Sequence, residues 1–213
     1  MRHVMTIGFP RHTGSGNGVC AILPTVFFAP GSNMELHTPR LLLRELNATD
    51  LEAVHRLHSL PEVDEFTTLG IPETVETTAR LLTDWRAQAH ATPRIAYVFA
   101  AQLAVSHTFV GLIALNLGKA NFKNAEVWYK FLPAHWGQGL TTEAVSALLT
   151  FGFDRLRLHR IEAGCAVENI ASIRVLEKVG MRREGRKRGV LPIRGAWVDN
   201  YFFAILDTDW ATR

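Results

Sequence analysis

The stretch HWGQGLTTEA, residues 135–144, sets Gly137 and Gly139 on either side of Gln138. Thr141 and Thr142 follow, just where an apolar helical period begins. The first N–H groups of a helix have no partner within it, and the aligned peptide dipoles place roughly half a positive charge there. Glycines remove the Cβ atoms that would hold an anion away and permit positive φ, so successive N–H groups can converge on a phosphate. Gly137, Gly139 and the Thr141 and Thr142 hydroxyls therefore suit a phosphate or pyrophosphate. A glycine turn closed by a threonine cap has the same composition. Two common nucleotide motifs are excluded. No Lys follows the second glycine, as a Walker loop requires, and Thr142 stands where a dinucleotide fingerprint needs its third glycine.

Strands and helices must alternate to hold such a loop. LHTPRLLLREL (36–46) reads as one half-buried strand with Pro39 near its start. A helix follows, with Asn47 or Thr49 as N-cap and Leu51, Val54 and Leu57 on one face. A second helix begins near Thr74 and turns Val75, Ala79, Leu82 and Trp85 inward. IAYVFAAQL, TFVGLIALNL and AEVWYKFL are three successive strands that should pair antiparallel. After the glycine loop comes a helix carrying Val145, Leu148, Leu149, Gly152 and Leu156 at helical spacing. RIEAGCAVEN alternates, with Ile161, Ala163, Cys165 and Val167 on one strand face. Asn169 caps a short helix that Gly180 ends, and two final strands are joined by a turn at Pro192 and Gly195. The order is α+β with a mixed, mostly antiparallel sheet flanked by helices.

A net charge of +3 and a pI near 9.1 suit an anionic small ligand or an acidic partner surface. Nucleic acid is not indicated, because basic residues are spread along the chain rather than interleaved with exposed aromatics. Cys20 and Cys165 form no CxxC or metal-type pattern, so neither a disulfide framework nor a metal site is expected, and a reducing cytoplasm fits. Residues 19–30 are apolar but are broken by Pro24, follow a glycine-rich polar stretch and lack an A-x-A cleavage pattern. They are too short to span a bilayer, and no membrane association is expected. Residues 1–33 are expected to be an appendage, or upstream sequence read through from a misassigned start. Residues 34–213 form the domain.

The chain resembles the GNAT superfamily of acyl-CoA-dependent N-acetyltransferases, and within it the Rim-type branch that includes N-terminal acetyltransferases of ribosomal proteins. Trp136, Gly137, Gln138, Gly139, Leu140 and Thr141 match the family's pyrophosphate loop in its W-G-x-G form. TPRLLLREL resembles the branch's opening strand and AEVWYKFLPAHW its fourth. RIEAGCAVENIASIRVLEKVGMRREG resembles the N-x-x-S segment and AWVDNYFFAIL the last strand. The likeness covers nearly all of residues 34–206, in the family's order. Three positions depart from the pattern. Thr141 stands where Gly or Ala is usual, Trp128 where the fourth strand commonly has Gly, and Leu176 where many branches place a Tyr.

The resemblance implies a sheet splayed between its fourth and fifth strands and acetyl-CoA as cosubstrate. The acetyl group then passes directly to a primary amine, either a protein N-terminal α-amine or a small molecule. Backbone N–H groups near Val127, Trp128 and Tyr129 would polarise the thioester carbonyl, and Thr142 and Asn169 join the CoA contacts. Ser172 would donate a proton to the leaving thiolate, or serve only in helix-start hydrogen bonding beside Asn169. Glu126 is the candidate general base, through water; Glu143, in the first turn of the loop helix, suits dipole stabilisation better. His135 is a further candidate base, and Cys165 reads as a core thiol. The basic cluster Arg182, Arg183, Arg186, Lys187, Arg188 and Arg194 reads as solvated strand charge, or as a contact for an acidic acceptor or ribosomal surface. Selecting the neutral amine at pH 7 costs about 3 kcal/mol more for Lys than for an α-amine, which favours a weakly basic acceptor. The competing reading is a GNAT-fold module that binds acyl-CoA without turnover. Self-association as a homodimer is left open.

Overall fold

The structure, a computed structural model, describes residues 25–27 and 34–212. Nine strands among them form one sheet, with neighbours in the order β1-β2-β3-β4-β5-β6-β7-β9-β8. They are β1 (Thr25–Phe27), β2 (Glu35–His37), β3 (Leu41–Glu45), β4 (Ala96–Leu103) and β5 (Phe109–Leu117). β6 (Asn124–Phe131), β7 (Arg160–Ala166), β8 (Arg182–Ile193) and β9 (Ala196–Leu206) complete it. Every pairing is antiparallel except β6 with β7. β1 extends the sheet with residues that precede 34; the rest of 1–33 lies outside the described residues.

Helices cover both faces. α4 (Leu140–Thr150) and α5 (Ile170–Lys178) close the larger core, in which Phe99, Leu115, Leu148, Leu149 and Phe203 are among the fully buried side chains. α1 (Leu51–His58) and α3 (Val75–Gln88) close a second core around Val54, Leu57, Leu82 and Leu112 on the opposite face. Between them lies α2 (Pro61–Asp64), and α6 (Asp207–Trp210) ends the described chain. Asn47 accepts from Thr49 N–H and caps a short 3-10 turn, residues Ala48–Asp50, that leads into α1, and Thr74, where the second helix was expected to begin, accepts from Thr77 N–H. No helix of the described residues is long and apolar enough to cross a membrane.

Several local expectations are corrected. Residues 36–46 make a hairpin instead of one strand, because Thr38 donates its N–H to the C=O of Leu41 while its Oγ1 accepts from the N–H of Leu41, which turns the chain at Pro39. β3 is buried on both faces rather than half-buried, as it lies inside the sheet. Val75 is exposed at the first turn of α3, where Thr78 takes the inward place. α4 does not run on regularly: residues Phe151–Arg155 wind as a wider π turn. Val167 falls beyond the end of β7. Pro192 belongs to β8, where it is opposite Trp197, and Arg194 and Gly195, both at positive φ, form the turn. β8 is the edge of the sheet, where a residue lacking an N–H is tolerated.

Candidate active site

β6 and β7 pair for three residues only, Asn124↔Arg160, Ala125↔Ile161 and Glu126↔Glu162, and then part. Each stays fastened to its outer neighbour, β6 to β5 through Phe131 and β7 to β9 through Ala166. A cleft of about 950 Å³ opens between them. The N–H of Leu132 donates to Val110 and that of Gly118 to Asn124, so the even-numbered residues of β6 exchange bonds with β5. Trp128 N–H is therefore turned to β5, opposite Ala114, while the Val127 and Tyr129 N–H groups turn toward β7. Tyr129 is the one that stands clear of the last rung. The β5–β6 register runs unbroken past Trp128, with no bulge.

Side chains of β6 alternate across the sheet. Val127, Tyr129 and Phe131 pack toward α4 and α5. Trp128 packs into the opposite core, its ring 5.6 Å from that of Trp85, which lies 5.9 Å from His58. The cleft thus has a helix-start side and an α1–α3 side, and the split in the sheet joins them.

On the first side, Gly137 and Gly139 have φ of +72° and +77°, the conformation for which glycine was expected. Gly139 precedes α4 with no side-chain cap, which leaves the first N–H groups of the helix available. A Cβ on Gly137 would meet nothing within 4 Å, so open space faces the loop. Trp136, Thr141 and Thr142 also line the cleft. The Leu140 side chain is buried in the core, so its contribution there is the backbone. Gln138 is fastened by its Nε2 to Ala134 O at 3.0 Å, and Trp136 by Nε1 to Phe131 O at 2.7 Å.

The turn between β2 and β3 clamps this loop. Thr38 Oγ1 donates to Glu143 at 2.6 Å, and Arg40 donates to it through its backbone N–H at 2.9 Å and Nε at 2.6 Å. Arg40 Nη1 also donates to Gln138 O at 2.9 Å. Burial raises the Glu143 carboxyl, but the hydrogen bonds from Thr38 and Arg40 outweigh it and hold the group below its ordinary range. Glu143 is a fastening for the loop, and a carboxylate in a first helical turn also suits the dipole.

Asn169 caps α5 by accepting from Ser172 N–H at 3.0 Å, and Ser172 Oγ lies 2.7 Å from Tyr129 Oη. One helix start and one strand therefore bring two hydroxyls together at the split. Burial raises the Tyr129 phenol, against the opposing bond from Ser172, so it stays protonated. Burial likewise pushes the Cys165 thiol up to about 11, in contact with the Ser172 hydroxyl; Cys165 is the buried core thiol expected. Leu176 is buried, so the phenol of this site comes from β6 instead of α5.

On the other side, Glu126 faces the cleft beside its cross-strand neighbour Glu162. Burial first, then the Glu162 charge, raises the Glu126 carboxyl. Burial also lowers Lys130 to about 8, against Asp64, and lowers His58 to about 4 together with Lys130 and His55. His58, Trp85, Lys130 and Asn200 line the cleft and were not singled out as site residues from sequence. His135 lines it as well. Among the described residues no group of three or more His, Cys, Asp or Glu is placed to hold a metal ion. The basic cluster is largely engaged: Arg182 pairs with Asp209, Arg186 with Asp199 and Arg194 with Asp64, while Arg183 and Lys187 lie over Tyr201 and Phe202.

A sheet split at one parallel pair, with a glycine-rich helix start on one side and a carboxyl of raised pKa on the other, is the architecture of an N-acetyltransferase. The chain belongs to the GNAT acetyltransferase family: residues 40–182 match the model of the acetyltransferase (GNAT) domain. It is 32% identical over 179 residues to the uncharacterized N-acetyltransferase YnaD of Bacillus subtilis, covering 83% of this chain and 99% of that protein. A GNAT-family acetyltransferase structure from Bacillus anthracis is similar at 32% identity and a TM-score of 0.72, over 82% of this chain and 99% of the other. RimJ of Mycobacterium smegmatis in complex with CoA-disulfide is similar at 26% identity and a TM-score of 0.71, over 78% and 81% of the two chains.

Proposed function

We propose that the protein transfers the acetyl group of acetyl-CoA directly to a primary amine, either the α-amine of a protein N-terminus or a small, weakly basic amine. The parting of β6 from β7 after Glu126↔Glu162 carries this reading, because it sets Tyr129 N–H, the Tyr129–Ser172 pair and Glu126 around one opening. The N–H groups at the start of α4, with Gly137 and Gly139 at positive φ, bind the pyrophosphate. Tyr129 N–H points at the thioester carbonyl and stabilises the oxyanion. Glu126, its basicity raised by burial and Glu162, takes the amine's surplus proton through water. The C–N bond forms as the C–S bond breaks; Ser172 Oγ, steadied by Tyr129 Oη, donates to the departing sulfur and is reprotonated through water by the proton that the new amide nitrogen sheds. An α-amine needs less help from a base than Lys, by about 3 kcal/mol at pH 7, which suits a base whose basicity is raised only by its own surroundings.

Free-thiol release from acetyl-CoA, with mass analysis of the acceptors, tests this against peptide N-termini, polyamines, amino acids and aminoglycosides. Thiol release coupled to acetylation of a peptide α-amine or a small amine is expected. CoA binding with no acetylated product from any acceptor would favour the binding-module reading instead.

A further inference from the structure

The face of the sheet that carries Glu126, Trp128 and Lys130 continues across the split. Glu126 is in register with Glu162, so Gly164 and Ala166, at the same alternation of β7, share that face. β9 pairs Asn200 with Ala166 and Phe202 with Gly164, which puts Asn200 there too. Asn200 is only 5% exposed and lines the cleft, yet its Oδ1 is buried without a hydrogen-bond partner. A buried amide oxygen left unpaired costs about 1–3 kcal/mol, so a donor is called for at this point. Gly164 gives the side chain its place: a Cβ at 164 would lie 2.7 Å from Asn200 Nδ2. The glycine leaves room for the Asn200 amide beside β7.

We propose that Asn200 is a positioning residue for the acceptor, its Oδ1 receiving one N–H of the amine that reaches this face. The proposal rests on the amine-transfer reading given above. A neutral amide oxygen suits the task, because it orients an N–H without the charge that would stabilise the ammonium form; a carboxylate there would keep the nitrogen protonated and its lone pair engaged. The pantetheine amides of CoA are the competing donors, and they are separable by experiment.

The test uses the full chain saturated with CoA. Two probes, an alanine-terminated tetrapeptide amide and spermidine, are each titrated beside analogues whose amines are fully methylated and lack N–H donors. The wild-type protein should bind at least one primary amine about tenfold more tightly than its methylated form, as loss of one hydrogen bond predicts. Asn200→Leu should erase that preference and leave the Kd for CoA unchanged. Asn200→Asp, which keeps the oxygen, should retain the preference and move the pH optimum of transfer upward. Wild-type protein that binds neither primary amine better than its methylated form would overturn the proposal, as would a preference that survives in Asn200→Leu. A changed CoA affinity with amine binding intact would assign Asn200 to CoA and also overturn it. Donor-dependent amine binding without thiol release would uphold the amine site while removing the transfer reading.

Discussion

The hydroxyls of Tyr129 and Ser172 stand 2.7 Å apart although 43 residues separate them in the chain. The pair exists because Tyr129 is on the half of β6 that has left β7, and because Asn169 fixes the first turn of α5. A phenol whose burial keeps it protonated can hold the serine hydroxyl with its own proton directed at a leaving sulfur.

Ser172→Ala and Tyr129→Phe should therefore lower kcat by about 10²-fold each, the size typical of a lost proton donor. The double variant should cost little more than either single one, since the two hydroxyls act as a unit. Steady-state kinetics with calorimetric CoA titration checks this. Equal loss of CoA affinity in both variants would speak for a binding role.

A base that must be ionised makes the rate fall as pH drops through its pKa. Burial and Glu162 raise the Glu126 carboxyl, so the acidic limb of kcat/KM should lie above the ordinary carboxylate range. Glu162→Gln removes one of those two causes and should move the limb down. Glu126→Gln should remove it, with a rate loss of about 10²-fold. A limb unmoved by either change would place the titrating group elsewhere.

Gly139 holds φ of +77° at the entry to α4. Alanine there costs about 1–2 kcal/mol in the left-handed region, and the loop can relieve it by turning its N–H groups away from the pyrophosphate. Gly139→Ala should weaken CoA binding roughly tenfold. Gly185→Ala, at a position where a Cβ meets nothing within 4 Å, serves as the neutral control.

His58 affects stability. Burial, with Lys130 and His55, lowers its pKa from 6.5 to about 4, so below pH 6.5 the unfolded chain takes up a proton that the folded protein refuses. Its contribution is complete above about 6.5 and is lost as pH falls toward 4, roughly 3 kcal/mol in all. Urea unfolding of wild type and His58→Gln at several pH values between 7.5 and 4 should show the two curves diverging across that window. Parallel curves would mean that His58 titrates alike in both states.

The elements around the loop were legible in the sequence because local rules govern them. Apolar runs between short polar connections marked β4 to β6 and alternation marked β7; Asn47, Thr74 and Asn169 are caps, and the two glycines of the loop do take positive φ. What escaped depends on contacts distant in sequence. Nothing near Glu143 announces that Thr38 and Arg40 will bind it. Leu36 through Leu46 looked like one strand, because a hairpin in which Thr38 supplies the turn bonds keeps the same apolar run. Asn200, His58 and Lys130 acquire their character only from burial beside the cleft, which a single sequence does not display. Tyr129 was expected as a backbone contact, and its phenol became relevant once Leu176 proved to be core.

The proposed transfer depends on receipt of the thioester carbonyl by Tyr129 N–H, where β6 leaves β7. Residue-resolved amide hydrogen exchange, with and without a non-hydrolysable acetyl-CoA analogue, tests it most directly. The Tyr129 amide, clear of the last rung, should exchange at least tenfold more slowly on binding, while the Trp128 amide, already facing β5, should change little. The amides of residues 139–142 should be protected alongside it. An analogue that protects those helix-start amides but leaves Tyr129 unchanged would contradict the assignment of the oxyanion site.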